Sequence, residues 1–286
     1  MNETSIVLMY GITPCHAGSG SSLGVVDLPI QRERASNWPV IQASGVKGAF
    51  RANFEKYKNK ISSDKEKVKD FDKLTESIFG TDKNGGYMGA ISVSDAKILA
   101  YPMRSNIAPF VWITCPSVLK RLVRDLDFAG KSVDIKIPDV KDNIAKWING
   151  SSKDEKILLE DYEVQTSGEE AKGMLNEYLK DAERLLLVSD EVFNYGVSQC
   201  TQIMAQISID SKTGITKDGS LRYQEELPSD TIMYSVFCWG DSKNTAEENL
   251  KAETIKKFVK DEVIKSHIQI AGDETCGRGI FKLEWK

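Results

Sequence analysis

The chain has 286 residues, of which 41% are hydrophobic and 28% charged, and its net charge is −4. A chain of this length can bury a large core in one or two domains. A membrane span needs about 18 apolar residues in a row, and the sequence has no such run. Five scattered cysteines without a Cys-x-x-Cys pair argue against structural zinc and a disulfide framework. We therefore expect a soluble, cytoplasmic protein with no membrane partner.

Charge is unevenly distributed along the chain. The first 60 residues hold seven lysines and arginines against four acids, a local balance of +3. Acids cluster further on, in segments such as 154–163 and 241–248. A basic face on an acidic body can bind RNA while the remaining surface stays solvated, although ordinary charge scatter would explain the same composition.

The first half of the chain predicts a mixture of strands and helices. Apolar runs rich in branched residues indicate buried strands, and a run of glycine and serine indicates a loop. A helix begins near Ala43, with Ser44 as its N-cap. The predicted elements are, in chain order, a strand at 5–10, a loop at 18–24, an extended arm at 25–30, a helix from 43, strands at 90–99 and 110–114, and a helix at 117–127.

The second half predicts further strands and a protruding hairpin. Turn signals at Ser211–Gly214 and Lys217–Gly219 lie between β-prone runs, which is typical of a hairpin. The other elements are an insertion over 130–180 with a strand at 156–159, a strand at 231–239, a helix at 245–266, a strand at 267–270, a glycine-rich loop at 272–279 and a strand at 280–285. This order is compatible with a ferredoxin-like α+β core that carries insertions.

The candidate functional residues concentrate between residues 13 and 51. A flexible Gly/Ser run, one acid and several cations close together are what a polyanion site requires, and a helix start favours anions. The last two cations are four residues apart, so they share one helix face. The candidates are His16, Asp27, Arg32, Arg34, Lys47 and Arg51.

Each of these residues admits a plain structural interpretation as well. Asp27 could form a turn or pair with Arg32 or Arg34, or it could be a catalytic carboxylate that binds a divalent metal or takes a proton from a ribose hydroxyl. His16 could bond to nearby backbone, or it could act as a base or contact RNA. Arg278, in the loop GDETCGRG, could clamp a phosphate, but a tight hairpin turn would have the same sequence.

Three motifs together resemble the RAMP superfamily. They are TPCHAGSG at 13–20, GVVDLPIQRE at 24–33 and SGVKGAFR at 44–51, and the segment 223–239 and the terminal glycine-rich loop support them. Within the superfamily, the sequence is most similar to the backbone subunits of type III-B CRISPR effectors, the Cmr complexes.

This resemblance implies a fold and an assembly. The whole chain, 1–286, would form one RAMP domain of class α+β, with a modified ferredoxin-like (RRM-like) palm, inserted segments and a β-hairpin thumb over 188–230. Copies of the chain would stack in a filament along the CRISPR RNA (crRNA), together with other subunits of the type III-B complex. Each thumb would enter between guide and complementary target RNA.

The resemblance also implies roles for individual residues. Asp27 would cleave target RNA with a divalent metal, Mg²⁺ or Mn²⁺, that it helps to bind, and His16 lies near this catalytic position. Glu225 and Glu226 would have a supporting role. The implied RNA-binding residues are Ser19, Arg32, Arg34, Lys47, Arg51, Met204 as a wedge in the thumb, Gly277 and Arg278.

Two alternative functions stay open at this point. One is a purely architectural RNA-binding subunit in which Asp27 is a turn residue. The other is a metal-independent ribonuclease that processes the guide with His16 as its base. Metal-dependent cleavage of a guide-matched target would separate both alternatives from a target endoribonuclease.

Overall fold

A computed structural model of the chain describes residues 3–61, 65–81, 86–168, 170–243 and 250–286. Its helices are α1 Ala43–Ile61, α2 Lys65–Phe79, α3 Pro116–Phe128, α4 Asn176–Leu179, α5 Asp190–Gln199 and α6 Ala252–Lys257. Its strands are β1 Glu3–Gly11, β2 Val40–Ile41, β3 Ile91–Val93, β4 Ala96–Met103, β5 Val111–Thr114, β6 Ile144–Asn149, β7 Lys156–Leu159, β8 Tyr162–Thr166, β9 Leu185–Leu187, β10 Gln202–Gln206, β11 Arg222–Glu226, β12 Ile232–Trp239, β13 His267–Gln269 and β14 Ile280–Trp285.

One large mixed sheet forms the frame of the molecule. Its strands lie in the order β13-β14-β1-β12-β4-β5-β9-β6-β8-β7, with β2 beside β4 and β3 beside β12. Most neighbours are antiparallel, but β5 and β9 are parallel, as are β6 and β8. The predicted strands at 5–10, 231–239 and 280–285 are therefore confirmed, and β1 lies between the other two. The α+β class is confirmed as well.

Helix α1 packs on this sheet through the face that the sequence predicts. Val46, Phe50 and Phe54 are fully buried, and the Phe50 ring centroid lies 4.7 Å from that of Phe237 on β12. Burying each of these side chains stabilises the fold by about 1.5–3 kcal/mol. Because this face is turned to the sheet, Lys47 and Arg51 are left on another face of the helix.

The N-terminus of α1 differs from the prediction. The helix begins at Ala43, so Ser44 lies inside the first turn and is not the N-cap. The carboxylate of Asp95 accepts the Ala43 N–H at 2.7 Å, and Gln42 O accepts the N–H groups of Gly45 and Val46. A side chain 52 residues away in the sequence therefore caps this helix and occupies one of the donors that could have bound an anion.

We expect Asp95→Ala to lower the free energy of unfolding by about 0.5–2 kcal/mol, because it leaves a helix donor without its acceptor. Urea unfolding followed by circular dichroism measures this difference. Ser44→Ala is the matched control and should change stability by less than about 0.5 kcal/mol. A larger loss for Ser44→Ala than for Asp95→Ala would restore Ser44 as the cap.

The predicted hairpin is present but shorter than expected. Strands β10 and β11 pair as a separate two-stranded sheet, and the predicted turns at 211–214 and 217–219 lie in the connection between them. The range 188–230 is wrong as the extent of a hairpin, because its first part is α5. Ser189 caps α5 by accepting the Val192 N–H, and the helix buries Val192, Phe193 and Val197 in the core.

The predicted strand at 156–159 is confirmed as β7, whereas the predicted helix at 245–266 differs from its prediction. The predicted insertion, 130–180, contributes β6, β7, β8 and α4, and it extends the main sheet because β6 pairs with β9. Of the predicted helix at 245–266, residues 245–249 lie outside the described part of the chain. The remainder forms α6 and a π-helical continuation, Phe258–Val263. Across the described ranges, we find no helix with the length and hydrophobicity to cross a membrane.

Candidate functional site

Asp27 is anchored to the second strand of the hairpin. Its Oδ2 accepts the backbone N–H of Tyr223 at 2.7 Å, and the Leu28 N–H donates to Tyr223 O at 3.0 Å. The segment after Asp27 thus lies along β11 with a parallel bridge between Leu28 and Gln224. Within the described residues no hydrogen bond engages Oδ1 and no ion pair joins Asp27 to Arg32 or Arg34. The carboxylate is half-buried, fixed through one oxygen, and available for chemistry through the other.

Glu225 ties this segment to the base of the hairpin. The residue is only 6% exposed, and its Oε2 accepts the Ile30 N–H at 3.0 Å. Its Oε1 accepts both the Arg32 guanidinium at 2.6 Å and the Thr201 hydroxyl at 2.7 Å. Because its oxygens are occupied by protein donors, Glu225 positions other groups. The supporting role in catalysis that the resemblance implies stays a prediction.

Arg32 contacts protein rather than open solvent. Besides Glu225, its guanidinium donates to the carbonyl oxygens of Asn37 and Val197, both at 2.9 Å, and the side chain is 16% exposed. These contacts join the Asp27 segment to the end of α5. The structure therefore gives Arg32 a structural task, whereas Arg34 is exposed, and the RNA contacts predicted for both stay predictions.

Glu226 ties the glycine-rich loop to the base of the hairpin, as Glu225 ties the Asp27 segment to it. It is fully buried, and its carboxylate accepts Arg278 Nε at 3.1 Å and the side-chain amides of Gln202 and Gln224, both at 3.3 Å. Gln224 also donates to Asp273 Oδ2 at 2.6 Å. Arg278 is thus held by a protein carboxylate, so the predicted phosphate clamp is at least partly engaged within the fold.

Two glycines of this loop allow backbone conformations that other residues rarely adopt. Gly277 and Gly279 adopt positive φ angles of 74° and 70°. A Cβ at Gly279 would lie 2.0 Å from Ile270 O, so only glycine allows the loop to return into β14. Of the two interpretations left open by the sequence, a tight turn between strands is the one that the geometry favours.

His16 lies between the hairpin base, the Gly/Ser run and this loop. Its Nδ1 is 2.7 Å from Glu225 O, and its own carbonyl accepts the Gly272 N–H at 3.2 Å. A carbonyl oxygen only accepts, so Nδ1 carries the proton and the neutral ring keeps Nε2 as an unprotonated acceptor. A Cβ at residue 18 would lie 2.7 Å from Nε2, and Gly18 therefore leaves room beside this nitrogen.

Strand β11 is what brings the predicted residues together. Four consecutive residues of this strand make the contacts. The Tyr223 N–H binds Asp27, and Glu225 O binds His16. The side chains of Gln224 and Glu226 bind the glycine-rich loop. Two groups that hold this region were not predicted from the sequence: the Tyr223 N–H, which anchors Asp27, and the Thr201 hydroxyl, which donates to Glu225. A backbone donor carries no side-chain signal. Thr201 lies two residues after the end of α5, and its role depends on where that helix stops.

Lys47 and Arg51 form a second, separate cluster. They line an open pocket of ≈ 520 Å³ that does not include Asp27 or His16. Lys47 Nζ donates to Ile91 O at 3.3 Å, and Arg51 donates to Gly80 O at 3.1 Å. Burial and the neighbouring Arg51 charge lower the pKa of Lys47. No carboxylate pairs with either cation in the part of the chain that the structure describes.

The remaining predicted residues lie at the surface of these two regions. Ser19 is exposed, and its N–H and hydroxyl both donate to Pro29 O, at 3.0 and 3.2 Å. Met204 is half-buried on β10, opposite Gln224. The hairpin also exposes large apolar side chains, namely Ile203, Ile207, Ile209, Ile215, Leu221 and Tyr223. The RNA contacts predicted for Ser19 and Met204 stay predictions.

The donor set around Asp27 limits what kind of metal site can form. Among the described residues, no group of three or more His, Cys, Asp or Glu side chains is placed to hold a metal ion. Glu225 and Glu226 use their carboxylates internally, so Asp27 offers one free oxygen. This suits a hydrated Mg²⁺ or Mn²⁺ that shares its remaining ligands with water and phosphate oxygens, and not an ion enclosed by protein.

Nearly the whole sequence is similar to one protein superfamily. The sequence model of the RAMP superfamily matches residues 9–282, which is nearly the whole chain. The chain belongs to the RAMP superfamily. This confirms the family resemblance drawn from the three motifs.

Two curated relatives match over almost their full length. The CRISPR system Cmr endoribonuclease Cmr4 of Pyrococcus furiosus is 36% identical over 297 residues, which cover 98% of this chain and 95% of the relative. The CRISPR system CMR subunit Cmr4 of Saccharolobus solfataricus is 24% identical, with 96% and 94% covered.

Two solved structures share the fold of this chain. The crystal structure of oligomeric Cmr4 from Pyrococcus furiosus superposes with a TM-score of 0.73 at 29% identity and covers 100% of this chain and 99% of that one. The cryo-EM structure of the type III-B Cmr-beta bound to cognate target RNA gives a TM-score of 0.75 at 22% identity, with 99% and 96% covered. At that identity the second comparison shows the fold alone.

Proposed function

We propose that this chain is the guide-RNA-binding backbone subunit of a type III-B CRISPR complex. In this proposal, copies stack along the crRNA beside other subunits and cleave the paired target RNA at regular intervals. The 36% identity to a Cmr endoribonuclease and the shared fold with oligomeric Cmr4 support it. The main sheet and its helices would form the modified ferredoxin-like palm, and the β10–β11 hairpin would be the thumb.

The observation that carries the catalytic part is the anchored Asp27 carboxylate. One oxygen is fixed by the Tyr223 N–H, so the other is held in a defined direction beside the hairpin base. In the cleavage proposed here, the ribose 2′-oxygen attacks the adjacent phosphorus as the bond to the leaving 5′-oxygen breaks, and water protonates that oxygen. The Asp27 carboxylate accepts the 2′-hydroxyl proton, and such general-base help contributes about 10²–10⁴-fold.

His16 is the second group suited to proton transfer in this region. Its Nδ1 donates to Glu225 O, so Nε2 is the nitrogen left to exchange a proton with RNA. A wedge from the hairpin, with Met204 and the exposed isoleucines as its apolar surface, would displace a target nucleotide and distort the backbone toward the in-line geometry. Cleavage would then fall next to each displaced nucleotide.

A divalent metal is part of this proposal. When bound, Mg²⁺ or Mn²⁺ would stabilise the charge that develops on the phosphate oxygens. Asp27 is the residue that would hold it, through a water of the hydrated ion, so that the oxygen that Tyr223 leaves free can still take the 2′-hydroxyl proton; RNA phosphates and water would complete the shell of the ion. Retention of cleavage in excess EDTA would favour instead a metal-independent guide-processing ribonuclease with His16 as base.

Lys47 and Arg51 are proposed to grip the guide through its phosphates. Lys47→Ala combined with Arg51→Ala should weaken binding of single-stranded guide RNA about tenfold or more, because each loses a charge-assisted contact. The slope of log K against log salt should become shallower by about 1.4, which is about 0.7 for each lost contact. Fluorescence anisotropy of labelled RNA at several salt concentrations measures both quantities.

Lys120→Ala is the matched control for this experiment. Lys120 is an exposed lysine of α3 whose nearest partner is Asp139 at 3.6 Å, and it lies outside the pocket. The control should bind RNA as the wild type does. An unchanged affinity and slope in the Lys47 and Arg51 double variant would remove these residues from the RNA interface.

A further inference from the structure

The pocket that holds Lys47 and Arg51 also presents two side chains that the sequence analysis did not single out. Met88 is 70% exposed, and Tyr87 is half-buried beside it. Both line the same ≈ 520 Å³ pocket as the two cations. Phe79 completes the apolar part of the lining and is itself almost fully buried.

The backbone that carries Met88 is fixed by close packing. Met88 forms a β-bridge with Gly80, and the Thr81 N–H donates to Tyr87 O at 3.3 Å. A Cβ at Gly89 would lie 2.4 Å from the carbonyl carbon of Phe79, so this crossing of the chain depends on glycine. The pocket therefore exposes its methionine from an ordered wall that closes onto the end of α2.

The chemistry of the lining is divided into two halves. One half has two cations without a carboxylate partner among the described residues, and their mutual repulsion is relieved when an anion binds. The other half has an aromatic ring and an exposed thioether, which suit the face of a flat, polarizable ring. A carboxylate of a protein partner would pair only with the two cations, whereas a nucleotide would pair its phosphate with the cations and stack its base on the ring and the thioether.

We propose that this pocket binds one nucleotide of the guide RNA, with its phosphate on Lys47 and Arg51 and its base against Tyr87 and Met88. This inference rests on the proposed function and adds a base contact to its phosphate grip. Stacking on a ring or a thioether accepts every base, because each base has a π-face. A subunit that meets a different guide base at each position requires such a sequence-tolerant contact.

The test compares an ordinary single-stranded RNA with an abasic ribose-phosphate chain of the same length. The wild-type full-length protein should bind the ordinary RNA about tenfold or more tightly than the abasic chain. Tyr87→Ala combined with Met88→Ala should lose this preference, bind the abasic chain as the wild type does, and keep the wild-type salt slope. Phe128→Ala removes an exposed aromatic side chain outside the pocket, 65% exposed at the end of α3, and is the control that should keep the preference.

The outcomes separate this inference from the proposed function. If the Tyr87 and Met88 double variant keeps the full preference for ordinary RNA, the base contact is wrong, whatever Lys47 and Arg51 do. If the Lys47 and Arg51 double variant binds both probes as the wild type does, the proposed phosphate grip fails first. A second readout uses the wild type alone: RNA with 5-iodouridine, when irradiated, should crosslink to Tyr87 or Met88. Crosslinks confined to the hairpin would overturn the inference.

Discussion

Replacing Asp27 by asparagine should lower target-RNA cleavage by about 10²–10⁴-fold and leave guide and target binding unchanged. Asparagine has the shape of aspartate, and its side-chain oxygen can still accept the Tyr223 N–H, which anchors the wild-type carboxylate at 2.7 Å. The substitution therefore keeps the position of the segment and removes the charge that takes up a proton. Cleavage of a labelled, guide-matched target by the assembled complex measures the rate, and a gel-shift assay measures binding.

The control for this variant removes a carboxylate elsewhere. Asp139→Asn changes an exposed acid that lies outside the region around Asp27 and pairs only distantly with Lys120. Its cleavage rate should equal that of the wild type. A wild-type rate for the Asp27 variant would leave Asp27 as a structural residue and would favour the purely architectural alternative.

Glu225→Ala should lower the free energy of unfolding by about 3–5 kcal/mol, the second large effect that the structure predicts. The substitution leaves the mostly buried Arg32 guanidinium without its carboxylate and removes the acceptor of the Ile30 N–H and the Thr201 hydroxyl. Two of these donors come from the Asp27 segment, and the third, Thr201, directly precedes β10. Their separation should also lower target cleavage, because Asp27 would lose its fixed position relative to the hairpin.

Urea unfolding measures this loss as a shift of the midpoint at constant slope. Asp139→Ala provides the control, since it breaks an exposed ion pair with Lys120 that contributes about 0–1 kcal/mol. Equal midpoints for the two variants would show that Glu225 does not hold the segment and the hairpin together.

Local patterns in the sequence predicted much of the fold. The branched, apolar runs that become β1 and β12 have one dominant interpretation, since both are buried along nearly their whole length. The period of Val46, Phe50 and Phe54 likewise determines how α1 faces the sheet. The helix α5 was missed although its sequence signal exists: Ser189 is a capping residue, and the acids Asp190 and Glu191 follow in the first turn.

Distant contacts account for what the sequence could not predict. The motifs single out Asp27, but its anchor is a backbone N–H 196 residues further along the chain. Arg32 resembles other exposed cations in sequence, and only the fold pairs it with Glu225, 193 residues away. The same holds for Asp95, whose role at α1 depends on the position of β4 beside β2.

The segment from residue 13 to 51 therefore consists of two sites with different tasks. His16 and Asp27 are organised by the hairpin base through β11, and they concern the target RNA in our proposal. Lys47 and Arg51 lie on α1 and donate to Ile91 on β3 and to Gly80 after α2, and in our proposal they bind the guide. Substitutions in one site should thus separate cleavage from guide binding.

The most direct test of the central claim uses an end-labelled target RNA paired to the guide in the assembled complex, with the products resolved to single nucleotides. The wild-type complex should release a series of products separated by one constant interval, since each copy of the chain would cut once. A complex that carries Asp27→Asn in every copy should bind the same target and release none of these products. The same series of products from the Asp27→Asn complex, at the wild-type rate, would contradict the claim that Asp27 cleaves the target.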